Sequence, residues 1–174
     1  AASRIDELVT GLRAFSQLDQ AEYQQTDVNA GVVATLTVLA HEVPAGVTLS
    51  TALGELPAIR GFPAQLNQLV LNLLRHALRD ITPPGEIAII TEPHDDGVQL
   101  TVRDSGHGYD AAALRALFDP GFKADSSRVR LDWGLVACAG IAVRHGGTIT
   151  ARSEPGAGTT FTVRLPGQAP PDPL

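Results

Sequence analysis

The sequence predicts an α+β fold: a two-layer α/β sandwich in which helices cover a mixed sheet, preceded by one helix of the bundle type. Three observations predict it. Short alternating stretches bounded by Gly, Pro and Asp are interleaved with longer runs of helical periodicity. One of those runs, from Pro63, carries an apolar face wide enough to pack on a sheet. The opening residues carry a narrower stripe that suits a helix seam.

Taken in order, Ile5, Leu8, Leu12 and Phe15 form that stripe over residues 3–18, with polar residues between them. Residues 19–26 are polar and read as a connection. Asp27 is a candidate cap for a helix carrying Val28, Val32, Leu36 and Leu39, which Pro44 and Gly46 end. Extended pieces follow around Val47–Thr51 and Ala58–Arg60. Pro63 opens the strongest helix, with Leu66, Leu69, Val70, Leu73, Leu74 and Ala77 on one face. Gln68, Asn72 and His76 make a polar stripe along its border. Two strands near 86–92 and 98–104 are joined by His94-Asp95-Asp96-Gly97. A short helix comes next, then an irregular charged segment over 119–132. A helix from about Gly134 to His145 stops at Gly146-Gly147, and TITARS pairs with TTFTVRL through a glycine-rich turn. The tail from residue 167 is proline-rich and expected to be disordered.

The chain has 174 residues, 44% of them hydrophobic and 18% charged, which suits one globular domain with a short attachment. A net charge of −6 and a pI near 5.2 argue against nucleic acid or an anionic membrane as the main partner. The single cysteine, Cys138, excludes an internal disulfide framework and fits a reducing compartment. There is no run long enough to cross a bilayer, so no direct membrane contact is expected. The chain starts mid-pattern and contains no methionine, so it is expected to be a piece of something longer.

The segment with most chemistry is Val102-Arg103-Asp104-Ser105-Gly106-His107-Gly108. A strand ends on a carboxylate that can accept from an exocyclic amino group. Gly106 and Gly108 beside it allow the close approach a flat ring needs. A tight turn after an edge strand uses the same residues, so this motif alone leaves both readings open.

Further segments follow the same order at suitable separations: LNQLVLNLLRHAL, DSGHG, LFDPGFKAD, GLVACAGIAVRHGGTI and GAGTTFTVRLP. Together they resemble the successive boxes of the histidine-kinase ATPase domain, within the wider family that includes gyrase, Hsp90 and MutL. The resemblance covers about residues 27–166 and implies a Bergerat-type ATP-binding fold. Residues 1–18 resemble the second helix of the dimerisation and phosphoacceptor hairpin, with 19–26 as linker.

By that resemblance ATP is the nucleotide and magnesium its metal. Asp104 meets the adenine amino group, and Gly106 and Gly108 shape the base pocket. Asn72 and His76 face the phosphates, with Asn72 the remaining metal-binding candidate. Phe118, Pro120 and Phe122 open a lid, Gly134 and Leu135 begin the helix after it, and Gly158, Thr159 and Thr160 close the pocket. The implied activity is transfer of the γ-phosphoryl group to a histidine upstream of this chain and thence to a response regulator receiver domain. The full-length protein is expected to be a cytoplasmic homodimer, or the cytoplasmic part of a membrane-bound sensor.

Three departures from the family pattern bear on that activity. His76 stands where the family has a second asparagine that ligates magnesium, and imidazole is a poor ligand for so hard an ion. Arg130 and Asp132 replace lid glycines, leaving Gly134 alone. Tyr109 replaces an aliphatic residue. These changes motivate an alternative, a degenerate pseudokinase or interaction module with weak or no nucleotide binding. His41-Glu42-Val43-Pro44 has the wrong spacing and place for the phosphoacceptor motif.

Overall fold

The computed structural model describes residues 23–119, 123–125, 128–130 and 134–168. Along the chain they form β1 (Gln24–Thr26), α1 (Val28–Leu39), β2 (Val47–Leu53), β3 (Ile59–Gly61), α2 (Pro63–Asp80), β4 (Gly85–His94) and β5 (Gly97–Asp104). There follow α3 (Ala111–Ala116), β6 (Lys123–Asp125), β7 (Arg128–Arg130), α4 (Gly134–Arg144), β8 (Thr148–Ser153) and β9 (Thr159–Leu165). The expected bundle helix at 3–18 lies outside the described residues.

Five strands form one mixed sheet in the order β2-β4-β5-β9-β8. The β2–β4 pair is parallel, because β3 and α2 intervene between them, and the other three pairs are antiparallel. Side chains alternate across the sheet, so Ile87, Ile89, Val98, Leu100, Val102, Phe161, Val163 and Leu165 all face one side and are buried. Opposite them, Gln99 accepts from Arg164 at 2.8 Å on the solvent side. The result is the predicted two-layer sandwich.

Helix α2 supplies most of the covering layer through Leu66, Leu69, Val70, Leu73, Leu74 and Ala77. Asp27 caps α1 as expected, its carboxylate accepting from Ala30 N at 3.0 Å. Helix α1 packs on α2 at Gly31, where a Cβ would lie 2.3 Å from Asn67 Oδ1. Asn29 then ties α1 to the sheet, donating to Gly54 O at 2.8 Å and accepting from Thr91 Oγ1 at 2.7 Å.

Four local expectations are revised. The polar connection at 19–26 ends in a strand, since Gln24–Thr26 pairs antiparallel with β3. The charged segment expected to be irregular contains the two-stranded β6–β7 hairpin, with Lys123 opposite Arg130. Gly167, expected to begin a disordered tail, is buried, and its carbonyl accepts from Arg60 N at 3.0 Å. Between β4 and β5 the turn shortens to Asp95-Asp96, with Asp95 in the left-handed region at φ 51°.

Candidate nucleotide-binding site

Strict alternation along β5 puts Asp104 on the same inward face as Val98, Leu100 and Val102. A carboxylate therefore occupies a core-facing position, 2% exposed. Its two oxygens differ. Oδ1 accepts from Gly106 N at 2.8 Å and Thr159 N at 3.3 Å. Oδ2 is buried and has no hydrogen-bond partner among the described residues. Burial pushes the carboxyl above its ordinary range, and the two backbone N–H groups only partly offset this. A buried acceptor without a donor is costly unless a ligand supplies one.

The glycines around Asp104 are demanded by the approach of backbone to backbone. A Cβ on Gly106 would sit 2.7 Å from Asp80 O. Gly108, at φ 67°, leaves no space against Glu154 O, and Gly158, at φ 79°, none against Asp104 O. These glycines bring three chain segments together: the end of α2, the turn after β5, and the β8–β9 turn. Gly156 N completes the closure by donating to His107 O at 2.7 Å.

Thr159 and Thr160 separate. Thr159 lies opposite Asp104, is 2% exposed, and shares a 2.9 Å contact with Ser153 Oγ. Thr160 points to the other face, opposite Arg103 and Arg152, and does not meet the carboxylate.

On α2 the polar stripe is continuous. Gln68 Nε2 donates to Asn72 Oδ1 at 2.8 Å, and Asn72 Nδ2 donates to Gly134 O at 3.3 Å. Asn72 thus joins α2 to the first residue of α4. The stripe extends one step further than expected, because His76 Nε2 meets Asp80 Oδ2 at 3.1 Å. Tyr109 donates its hydroxyl to the same oxygen. Burial alone would raise the Asp80 carboxyl, but the hydrogen bonds from His76 and Tyr109 outweigh it and hold Asp80 below its ordinary value. Burial and the Asp80 carboxylate push the Tyr109 phenol far above its ordinary value.

The imidazole at 76 does not fit a magnesium shell of oxygen ligands. Asn72 engages both ends of its amide within the protein, and His76 turns Nε2 to Asp80. Among the described residues no group of three His, Cys, Asp or Glu side chains is placed to hold a metal.

Leu135 is 2% exposed and belongs to the core. Phe118 is partly buried against the core, its ring 6.3 Å from that of Phe161. Pro120, Phe122, Asp132 and Trp133 lie outside the described residues. Residue-type reasoning missed Asp80 and Ser153. Asp80 is readable as the next residue at i+4 after Gln68, Asn72 and His76. Ser153, which accepts from Tyr109 N at 2.8 Å and contacts Gly158 O at 2.8 Å, carries no sequence signal.

A mixed sheet ending on a half-satisfied buried carboxylate, with glycine turns closing beside it, defines an ATP-binding sandwich of the Bergerat type. Comparison with known proteins agrees. The chain belongs to the family described as histidine kinase-, DNA gyrase B-, and HSP90-like ATPase, whose model matches residues 61–169. It is 33% identical over 168 residues to the sensor histidine kinase ZraS of Klebsiella oxytoca, covering 95% of this chain and 36% of that protein. It is 34% identical over 165 residues to the signal transduction histidine-protein kinase AtoS of Escherichia coli K12, covering 93% and 27% respectively. The chain therefore spans about a third of the length of these curated relatives. Its fold matches that of the mycobacterial sensor histidine kinase MprB with a TM-score of 0.74, at 20% identity over 84% of this chain and 99% of that one. The chain is thus an ATP-binding catalytic domain homologous to those of histidine kinases.

Proposed function

We propose that this domain binds ATP as the catalytic part of a two-component sensor histidine kinase. In that role the γ-phosphoryl group passes to a histidine outside this chain, within a homodimeric protein, and then to a response regulator receiver domain. The observation that carries the nucleotide reading is Asp104 Oδ2, a buried acceptor with no donor among the described residues. Bound ATP supplies the phosphoryl group and the amino donor. Asp104 reads the base edge, and Gly106, Gly108 and Gly158 hold the surrounding backbone close. Asn72, linked to Gly134 at the start of α4, aligns two elements beside the phosphate positions.

The engagement of His76 by Asp80 supports a second reading, a domain that binds nucleotide but transfers no phosphoryl group. Two measurements separate the two. In calorimetry, ATP and ADP should bind this chain, and Asp104→Ala should weaken both about 10- to 100-fold, the worth of a hydrogen bond to a charged group. Incubated with labelled ATP, the full-length protein should label itself. Binding without labelling selects the second reading, and no binding at all removes both.

A further inference from the structure

We propose that Asp80 and Tyr109 are positioning residues for the base-reading turn, and that His76 belongs to their brace and not to a metal's coordination shell. The proposal rests on the nucleotide-binding reading above. Two of the three departures from the family pattern, His76 and Tyr109, meet in space on a third residue, Asp80, at the last position of α2.

An ionised carboxylate only accepts hydrogen bonds, so both Tyr109 Oη and His76 Nε2 donate to Asp80 Oδ2. That requirement selects the imidazole form with hydrogen on Nε2. The ring is also fixed by its surroundings. It stacks on Tyr109 with centroids 6.0 Å apart and meets Phe161 edge-on at 5.4 Å. His76 is 3% exposed, so turning Nε2 toward a ligand would break its hydrogen bond to Asp80 in a buried setting.

The same carboxylate controls the turn at 105–109. Asp80 Oδ1 faces His107 Nε2 at 3.6 Å, and Asp80 O accepts from His107 N at 3.3 Å. Gly106 packs against that carbonyl with no room for a Cβ. From the other side, Ser153 Oγ accepts from Tyr109 N. The turn thus lies between the end of α2 and the end of β8. Gly106 N is the 2.8 Å donor to Asp104 Oδ1. Where the turn sits therefore decides which Asp104 oxygen is left for the ligand. Base selection passes through the contact between positions 80 and 109, and it needs no metal.

The test measures adenosine and guanosine binding to this chain by calorimetry without metal, and ADP binding with and without magnesium. Tyr109→Phe and Asp80→Asn should each weaken adenosine binding about 5- to 10-fold and narrow its preference over guanosine, and the double variant should be no worse than the weaker single one. The preference ratio is the deciding readout, because a merely structural role lowers melting temperature without changing it in the folded fraction. Magnesium should change ADP affinity less than about 2-fold in the unaltered chain, since His76 turns Nε2 to Asp80 and an imidazole nitrogen is a poor ligand for so hard an ion. Additive single effects, an unchanged base preference, or a magnesium enhancement that His76→Ala removes would each overturn the proposal. If the unaltered chain binds no adenosine, both this proposal and the nucleotide reading fail. If it binds and the variants are indifferent, this proposal alone fails.

Discussion

Asp104, buried, and Asp80, partly buried, are carboxylates near the same turn, yet they bias stability in opposite directions. Burial leaves Asp104 with a raised value, so over the window above the ordinary carboxylate range the native state binds more protons than the unfolded chain. Stability therefore falls as pH rises through that window, and the cost persists above it. Asp80 is held low by His76 and Tyr109 against the effect of burial. Its contribution is present above the ordinary value and is lost as pH falls through the lowered one. Asp104→Asn removes the buried charge while its remaining oxygen can still accept from Gly106 N and Thr159 N. In thermal melts without nucleotide, from about pH 4 to about pH 8, this variant should gain on the parent as pH rises. A constant difference across that range would contradict the assignment. The residue that the site most needs is then one the unliganded fold would be better without.

At the scale of elements, the start of α2 shows how one helix supports another. Phe62 at its N-cap offers no side-chain acceptor. The role passes to His145, just beyond α4, whose Nε2 accepts from Phe62 N at 3.0 Å while Nδ1 donates to Ile141 O at 2.8 Å. Arg144 adds its guanidinium over the Phe62 ring at 4.5 Å. With one ring nitrogen donating and the other accepting, His145 must be neutral, and burial lowers its value accordingly. The unfolded chain takes up a proton near the ordinary value, about 6.5, so stability is lost as pH falls below that point and levels off beneath the lowered folded value. His145→Ala should cost about 2–4 kcal/mol in urea melts and flatten that step. If the variant keeps the parent's full dependence between about pH 5 and about pH 7, His145 is not its source.

At the scale of the molecule, what could be read in advance followed from periodicity. The wide face of α2 and the alternation of β4, β5 and β9 are signals carried within single segments, and they specify both layers. At Asp104 the strand-end carboxylate and its two glycines suit a tight turn as well as a base pocket, and only the ordered segments around them favoured the pocket. β1 was not legible, since Gln24-Gln25-Thr26 has no apolar alternation and exists as a strand only because β3 lies beside it. The joint role of His76, Asp80 and Tyr109 was illegible for a related reason. Spacing leads from Gln68 to Asp80 along one helix, but a sheet and a turn must form before Tyr109 arrives.

The buried glycine at 167 also says where this domain can be cut. Its carbonyl holds β3 through Arg60, and its α-carbon lies so close to Asp96 O that a Cβ there would be 2.3 Å away. Gly97 in turn has no room for a side chain against Leu165 O. The residues after β9 therefore act as a clasp at the end of β5 remote from Asp104. A chain shortened to end at Leu165 would keep every strand of the main sheet and still lose the clasp. One ending at Gln168 should melt several degrees higher, about the effect of 1 kcal/mol in a domain of this size. Equal melting temperatures would show that the last strand is itself the boundary.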